Sequence, residues 1–146
     1  MKVLEIQRVS LNVSNTNDSV KFWTDTLGLT FPPLSHDAVE LRKKLGKIEH
    51  LYSEWADASE RARPDAAVST VGIELMHKDP MPGPEGIRGV ILVVDDLNAF
   101  KAHLAARNIR WLHEIKTEHG GGEVFYHPDD LHGVRLTLCS ADFGKR

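Results

Sequence analysis

A chain of 146 residues, 41% hydrophobic and 27% charged with a formal charge of −3, has the length of one ordinary domain or of two small half-domains sharing a core. It holds no apolar run near the about 18–20 residues that span a bilayer and no basic block to neutralise phosphates, so the expected partners exclude membrane and nucleic acid. The one cysteine, Cys139, forms no internal disulfide, and Met1-Lys2-Val3-Leu4-Glu5 enters strand-like alternation without a secretory leader, which together predict a cytoplasmic protein.

From Leu4 to Val13 apolar and polar residues alternate, with Ile6, Val9, Leu11 and Val13 largely on one side and Arg8, Ser10 and Asn12 on the other, which predicts a strand with one polar face. The stretch "NTNDSVKFWTDTLG" opens on capping residues Asn15, Asn17 and Asp18, spaces Val20, Phe22, Trp23 and Leu27 at helical intervals and ends on Gly28, as a short amphipathic helix does. Phe22, Trp23 and, later, Phe100 are expected in the core. A strand is predicted at Leu29–Phe31, stopped by Pro32-Pro33, and "HDAVELRKKLG" reads as a second helix closed by Gly46. Lys47–Trp55 alternates like a strand, while the charged run beyond it suits helix. After a polar connection, "VSTVGIELMH", Val68 to His77, reads as one β-branched-rich strand.

The Pro- and Gly-rich "KDPMPGPEG" divides the chain almost in half, giving a first module over 1–78, a linker over 79–87 and a second module over 88–146. Beyond it the order returns: strand Gly89–Val94, helix Asp96–Ala106, strand Ile109–Glu118, a "GGG" turn, strand Glu123–His127 and strand Gly133–Ser140. "VSNTNDSVKFWTDTLGLTF" set beside "VDDLNAFKAHLAARNIRW" shows the same valine, capping run, helix, turn residue and return, with Asn108 standing where Gly28 stood. One βαβββ module leaves a sheet face uncovered, and two modules solve that together. The expected fold is α+β: two βαβββ modules forming a curved, cup-shaped mixed sheet with helices outside. The polar alternates Arg8, Ser10, Asn12, Glu74 and Thr137 would then line the concave face, a place for a small-molecule ligand.

The helix-to-strand stretch "SVKFWTDTLGLTF", the strand "GIELMH", the opening "VILVVDDLNAFKAHL" and the ending "VFYHPDDLHGVRLTL", in this order and spacing, resemble the vicinal-oxygen-chelate superfamily, which includes glyoxalase I, extradiol dioxygenases and the bleomycin-resistance proteins. The closing hairpin is most similar to that of methylmalonyl-CoA epimerase. The resemblance covers nearly the whole chain and implies a homodimer, since members commonly pair. It also implies four positions, one on each of four strands, where such enzymes hold a divalent metal. Here those positions are Arg8, Glu74, Gly89 and Thr137, of which only Glu74 is a metal ligand, while Arg8 brings a permanent cation to the place an ion would need. No metal and no other cofactor is expected at the usual site.

Arg8 facing Glu74 reads either as a structural salt bridge or as a working pair, with Arg8 holding a carboxylate, enolate or phenolate and Glu74 orienting it or accepting a proton. His127, before Pro128, is a third candidate catalytic group or else a turn residue capping the strand; the remaining histidines read as surface. Ser10, Asn12, Trp55, Glu123, Phe125 and Thr137 are the candidate ligand-binding residues. Two functions follow: a metal-independent isomerase, lyase or cyclase acting on a small carbonyl-containing metabolite through oxyanion stabilisation and proton transfer, or a non-catalytic binding protein of the drug-sequestering kind. The richness of the polar face favours the enzyme.

Overall fold

The computed structural model describes residues 1–33, 66–77, 84–116 and 121–143. The chain forms two compact units, residues 1–9 with 88–145 and residues 10–87, so strand β1 (Val3–Val13) contributes to both.

In the unit of residues 10–87, helix α1 (Thr16–Leu27) begins where Asn15, in extended backbone, accepts a hydrogen bond from the Asp18 amide at 3.0 Å. It ends at Gly28, whose φ of 68° turns the chain left-handed while its amide donates back to the Thr24 carbonyl. Trp23 is half-buried, but Phe22 is 59% exposed and meets Trp23 edge-on with ring centroids 6.1 Å apart. Phe22 is therefore not the core residue its spacing suggested. One residue from Trp23 is a rotation of about 100° around a helix, which takes Phe22 off the packed stripe.

Two strand expectations fail in this unit. Residues 29–31 are irregular, between the left-handed Gly28 and Pro32-Pro33, which leave too short a stretch for a ladder; among the described residues the Thr30 carbonyl accepts from the Thr70 amide at 2.9 Å. The expected single strand over Val68–His77 is instead a hairpin of β2 (Ala66–Val68) and β3 (Ile73–His77), paired antiparallel with Val68 opposite Glu74. Gly72, at φ 87°, makes the turn, and Ser69 closes it: its hydroxyl accepts from the Ile73 amide at 2.9 Å and its own amide donates to the Ile73 carbonyl at 2.8 Å. The expected elements at His36–Gly46 and Lys47–Trp55, and with them Trp55, lie outside the described residues.

The other unit contains β4 (Gly86–Val94, from Arg88 on), α2 (Leu97–Ala105), β5 (Trp111–Lys116), β6 (Gly122–Tyr126), a short 3-10 helix (Pro128–Leu131) and β7 (Arg135–Ser140). Asp96 caps α2 by accepting from the Ala99 amide at 2.9 Å, and Asn108 takes φ 58° after it, the same left-handed conformation as Gly28 in the first half. β4 pairs parallel with β7, while β6 pairs antiparallel with both β5 and β7. Among the described residues the strand order is β2-β3-β1-β4-β7-β6-β5, a mixed seven-stranded sheet with two α-helices, and the fold is α+β. On one face of β4, β6 and β7, Val94, Val124, Tyr126 and Leu138 form a buried cluster closed by Leu97, Phe100 and Leu104 of α2.

Arg110 ties the start of β5 to the 3-10 helix. Its amide and Nε each donate to Asp130 Oδ2 at 2.8 Å, and its terminal nitrogen donates to Oδ1 at 2.9 Å. These bonds, the side-chain ones foremost, hold the Asp130 carboxyl down to about 2 from an ordinary 3.8. A carboxyl depressed on folding stabilises the native state above its unfolded pKa, and that contribution is lost as the pH falls through the folded value. Asp130→Asn is therefore expected to lower the melting temperature at neutral pH by a small amount and to flatten its dependence on pH between 3.8 and about 2. Thermal melts across that acid range check it; equal slopes for both proteins would refute the assignment.

Candidate functional site

Strand registers define the polar face opposite the α2 cluster. Residues directly paired across a ladder point the same way, so Gly89 and Ile91 of β4, Arg135, Thr137 and Cys139 of β7, and Glu123 and Phe125 of β6 share one face. Thr137 and Glu123 are buried, Cys139 is fully buried, and Phe125 is half-buried. Burial, then the Glu123 carboxylate, pushes the Cys139 thiol up to about 12, while the Arg8 charge pulls it the other way. A half-buried Arg8 is thus within electrostatic reach of the face that carries Thr137, Cys139 and Glu123.

Arg135 belongs to this face and was not singled out from the sequence, although the alternation Arg135, Thr137, Cys139 was there to be read. Its charge also acts on half-buried Arg88: burial first, and Arg135 second, lower that guanidinium to about 9, so it keeps its charge at neutral pH. Arg88 precedes Gly89 on β4 and so projects to the opposite face, which leaves Arg135 as the arginine that the β4–β7 register places on the Thr137 face, a cation suited to developing negative charge there.

In the other unit the polar set is Ser10, Asn12 and Glu74. Glu74 is 6% exposed on β3 and accepts a hydrogen bond from the Ser10 hydroxyl at 2.5 Å. The distance is that of a charge-assisted O–H···O⁻ bond, which fixes the carboxylate's orientation. Asn12 lies two residues along β1 from Ser10, on the same side of the strand, and is 7% exposed. Its Oδ1 is buried and, among the described residues, has no hydrogen-bond partner. An enclosed acceptor left in that state costs about 1–3 kcal/mol.

His127 stands at the N-cap of the 3-10 helix, half-buried, and its Nδ1 accepts from the Asp129 amide at 3.2 Å. The same nitrogen lies 3.7 Å from Asp129 Oδ2, an ion pair only for a charged ring. The amide contact is the shorter of the two. That contact supports the capping role over the catalytic one.

A divalent ion does not fit the positions that the family resemblance assigns to metal ligands. Arg8 supplies a cation, Thr137 a neutral hydroxyl and Gly89 no donor; a Cβ at Gly89 would fall 2.6 Å from the Arg135 carbonyl oxygen and 2.9 Å from its Cβ, so the backbone leaves no room for a ligand there. Glu74 is committed to Ser10. Among the described residues no group of three or more His, Cys, Asp or Glu side chains is placed to hold a metal, and no helix is long and apolar enough to cross a membrane.

The family model of the Glyoxalase/Bleomycin resistance protein/Dioxygenase superfamily matches residues 5–138. Among solved structures, the methylmalonyl-CoA epimerase of Mycobacterium tuberculosis superposes with a TM-score of 0.64 at 18% identity, covering 94% of this chain and 88% of that one. A Streptomyces coelicolor methylmalonyl-CoA epimerase variant in complex with 2-nitronate-propionyl-CoA gives 0.64 at 15% identity over 99% of both chains. A hypothetical protein from Bacillus halodurans gives 0.63 at 14% identity over 97% of both. No curated protein matches the chain.

Proposed function

The chain belongs to the Glyoxalase/Bleomycin resistance protein/Dioxygenase superfamily, and from that premise we propose that it is an isomerase-type enzyme that moves a proton on a small carbonyl-containing metabolite without a divalent metal. The observation that carries this reading is the buried Ser10–Glu74 hydrogen bond: a carboxylate enclosed on β3 and aimed by a hydroxyl of β1, at a position that the family resemblance assigns to a metal ligand. Glu74 takes the proton from the carbon next to the substrate carbonyl, the electron pair moves onto the carbonyl oxygen, and the enolate so formed is stabilised by Arg8. Return of the proton to either face completes an isomerisation; departure of a group from the enolate completes a lyase reaction. Thr137, Glu123 and Phe125 serve as substrate-contacting residues in this reading, and His127 holds the turn. The epimerase neighbours support the choice of isomerase within the superfamily. The working form is a homodimer in the same reading, for which the exposed apolar residues Val3, Leu4 and Ile6 of β1 provide a surface.

The test is isotope exchange. Methylmalonyl-CoA, the compound the neighbours' name supplies, and a panel of α-hydroxy-carbonyl acids are incubated with the protein in deuterium oxide containing a chelator, and deuterium at the α-carbon is followed by NMR. The protein is expected to exchange at least one of them at a rate the chelator leaves unchanged, and Glu74→Gln to slow that exchange by about 10²–10⁴-fold. Exchange that appears only with added divalent metal, or that Glu74→Gln leaves intact, overturns the mechanism. Ligand that binds yet returns undeuterated favours the sequestering function instead.

A further inference from the structure

We propose that Asn12 selects the ligand of the Glu74 site, and that this ligand carries a hydrogen-bond donor, an O–H or N–H, beside its carbonyl group. The inference rests on the proposed reading of that site and adds the class of molecule it takes: α-hydroxy carbonyls and carboxamides in preference to simple ketones, esters or thioesters.

Asn12, Ser10 and Glu74 all belong to the unit of residues 10–87. Alternation along β1 sets Asn12 beside Ser10, whose hydroxyl is bound to Glu74. Asn12 is more than nine-tenths buried, and its Oδ1 is enclosed without a donor. The neighbours that share the Glu74 face of the hairpin, Val68 opposite it and Met76 two residues on, are buried and apolar and bring no N–H or O–H side-chain group to the amide. A leucine has the same branched outline and leaves nothing unsatisfied, so among the described residues the amide has no partner that explains it.

A ligand donor supplies the missing complement. In an α-hydroxy carbonyl or a carboxamide the donor sits within about two bonds of the carbonyl carbon, so one molecule can present a reacting carbon to Glu74 and an O–H or N–H to Asn12 Oδ1. A compound lacking that donor would enclose the same oxygen still unpaired, which is how a buried polar group rejects an analogue more strongly than an apolar wall does. Asn12 thereby acts as a specificity-determining residue, independent of the proton transfer itself.

The experiment uses lactamide and its fully O- and N-methylated counterpart, which keeps the carbonyl and loses every donor. Each is titrated into the isotope-labelled full chain, with the Asn12 side-chain amide followed by NMR. Lactamide is expected to shift that resonance and to bind about tenfold more tightly than the methylated probe, the factor one neutral hydrogen bond carries. Asn12→Leu is expected to erase the ratio while the melting temperature holds or rises. Equal binding of the two probes, binding of neither, or a ratio that survives Asn12→Leu overturns the proposal; so does a ratio that survives with a lowered melting temperature, which marks a purely structural amide. Because the readout is binding, a preference that stands while deuterium exchange fails sinks the enzymatic reading alone, and exchange without the preference sinks this one alone.

Discussion

Replacing Arg8 with Met is expected to slow the proposed proton transfer by about 10²–10³-fold, the loss that follows removal of one preorganised oxyanion donor, while the melting temperature changes little. Met keeps most of the apolar stem of Arg and removes only the guanidinium, so packing along β1 is largely retained. The effect is large because the charge is half-buried and acts on the buried Cys139 thiol, whose rise it opposes, rather than being screened in open solvent. If Arg8 stabilises the enolate and not the bound substrate, kcat falls and KM stays near its original value. Arg8→Lys should recover part of the rate by restoring the charge without the forked donors. A rate unchanged in Arg8→Met removes the oxyanion role, and a collapse of the melting temperature with it would show that the arginine was structural.

The parts of the fold that were readable are those set by local chemistry. Asn15 and Asp96 are capping residues followed by helical spacing, and both accept the expected amide hydrogen bonds; Gly28 and Asn108 both take left-handed backbone, which is why the half-repeat could be recognised at all. The hairpin was missed because β-branched residues run through Val68, Thr70 and Val71 and hide a turn whose signals were Ser69 and Gly72. Leu29–Phe31 failed for the opposite reason, since hydrophobicity suggested a strand in a stretch confined to three residues between the left-handed Gly28 and two prolines.

Within the candidate site, alternation on β1 was enough to group Arg8, Ser10 and Asn12. The partnership of Ser10 with Glu74 was not legible, because it joins positions 64 residues apart and depends on the register of strands between which nothing in the sequence specifies pairing. For the same reason the unsatisfied state of Asn12 Oδ1 belongs to the three-dimensional arrangement alone. Arg135 was not legible as a member of the face, because the family resemblance points to the position two residues along, Thr137, and the pairing of Arg135 with Gly89 depends on the β4–β7 register.

Rebuilding that metal site by Gly89→His is expected to fail through the backbone before ligand chemistry is reached. β4 and β7 run parallel with Gly89 directly opposite Arg135, and a Cβ at 89 meets two atoms the sheet cannot easily move, the Arg135 carbonyl oxygen at 2.6 Å and Cβ at 2.9 Å. Even Gly89→Ala should therefore destabilise by about 1–3 kcal/mol, the range for overpacking a well-filled interior. In a chain of this size that is a fall of about 3–10 °C in melting temperature. Gly28→Asn provides the control: nothing lies within 4 Å of an added Cβ there, and Asn108 holds the same left-handed backbone in the second half, so the change should be small. The clash is independent of charge, so adding zinc or cobalt should not rescue Gly89→His. A Gly89→His protein that melts like the parent and gains stability on metal addition would show that β4 and β7 can separate at that pair. The cation of Arg8, the neutral hydroxyl of Thr137 and the Ser10-bound Glu74 would then be the features keeping a divalent ion out, and Gly89→His combined with Arg8→His and Thr137→Glu would be expected to bind one.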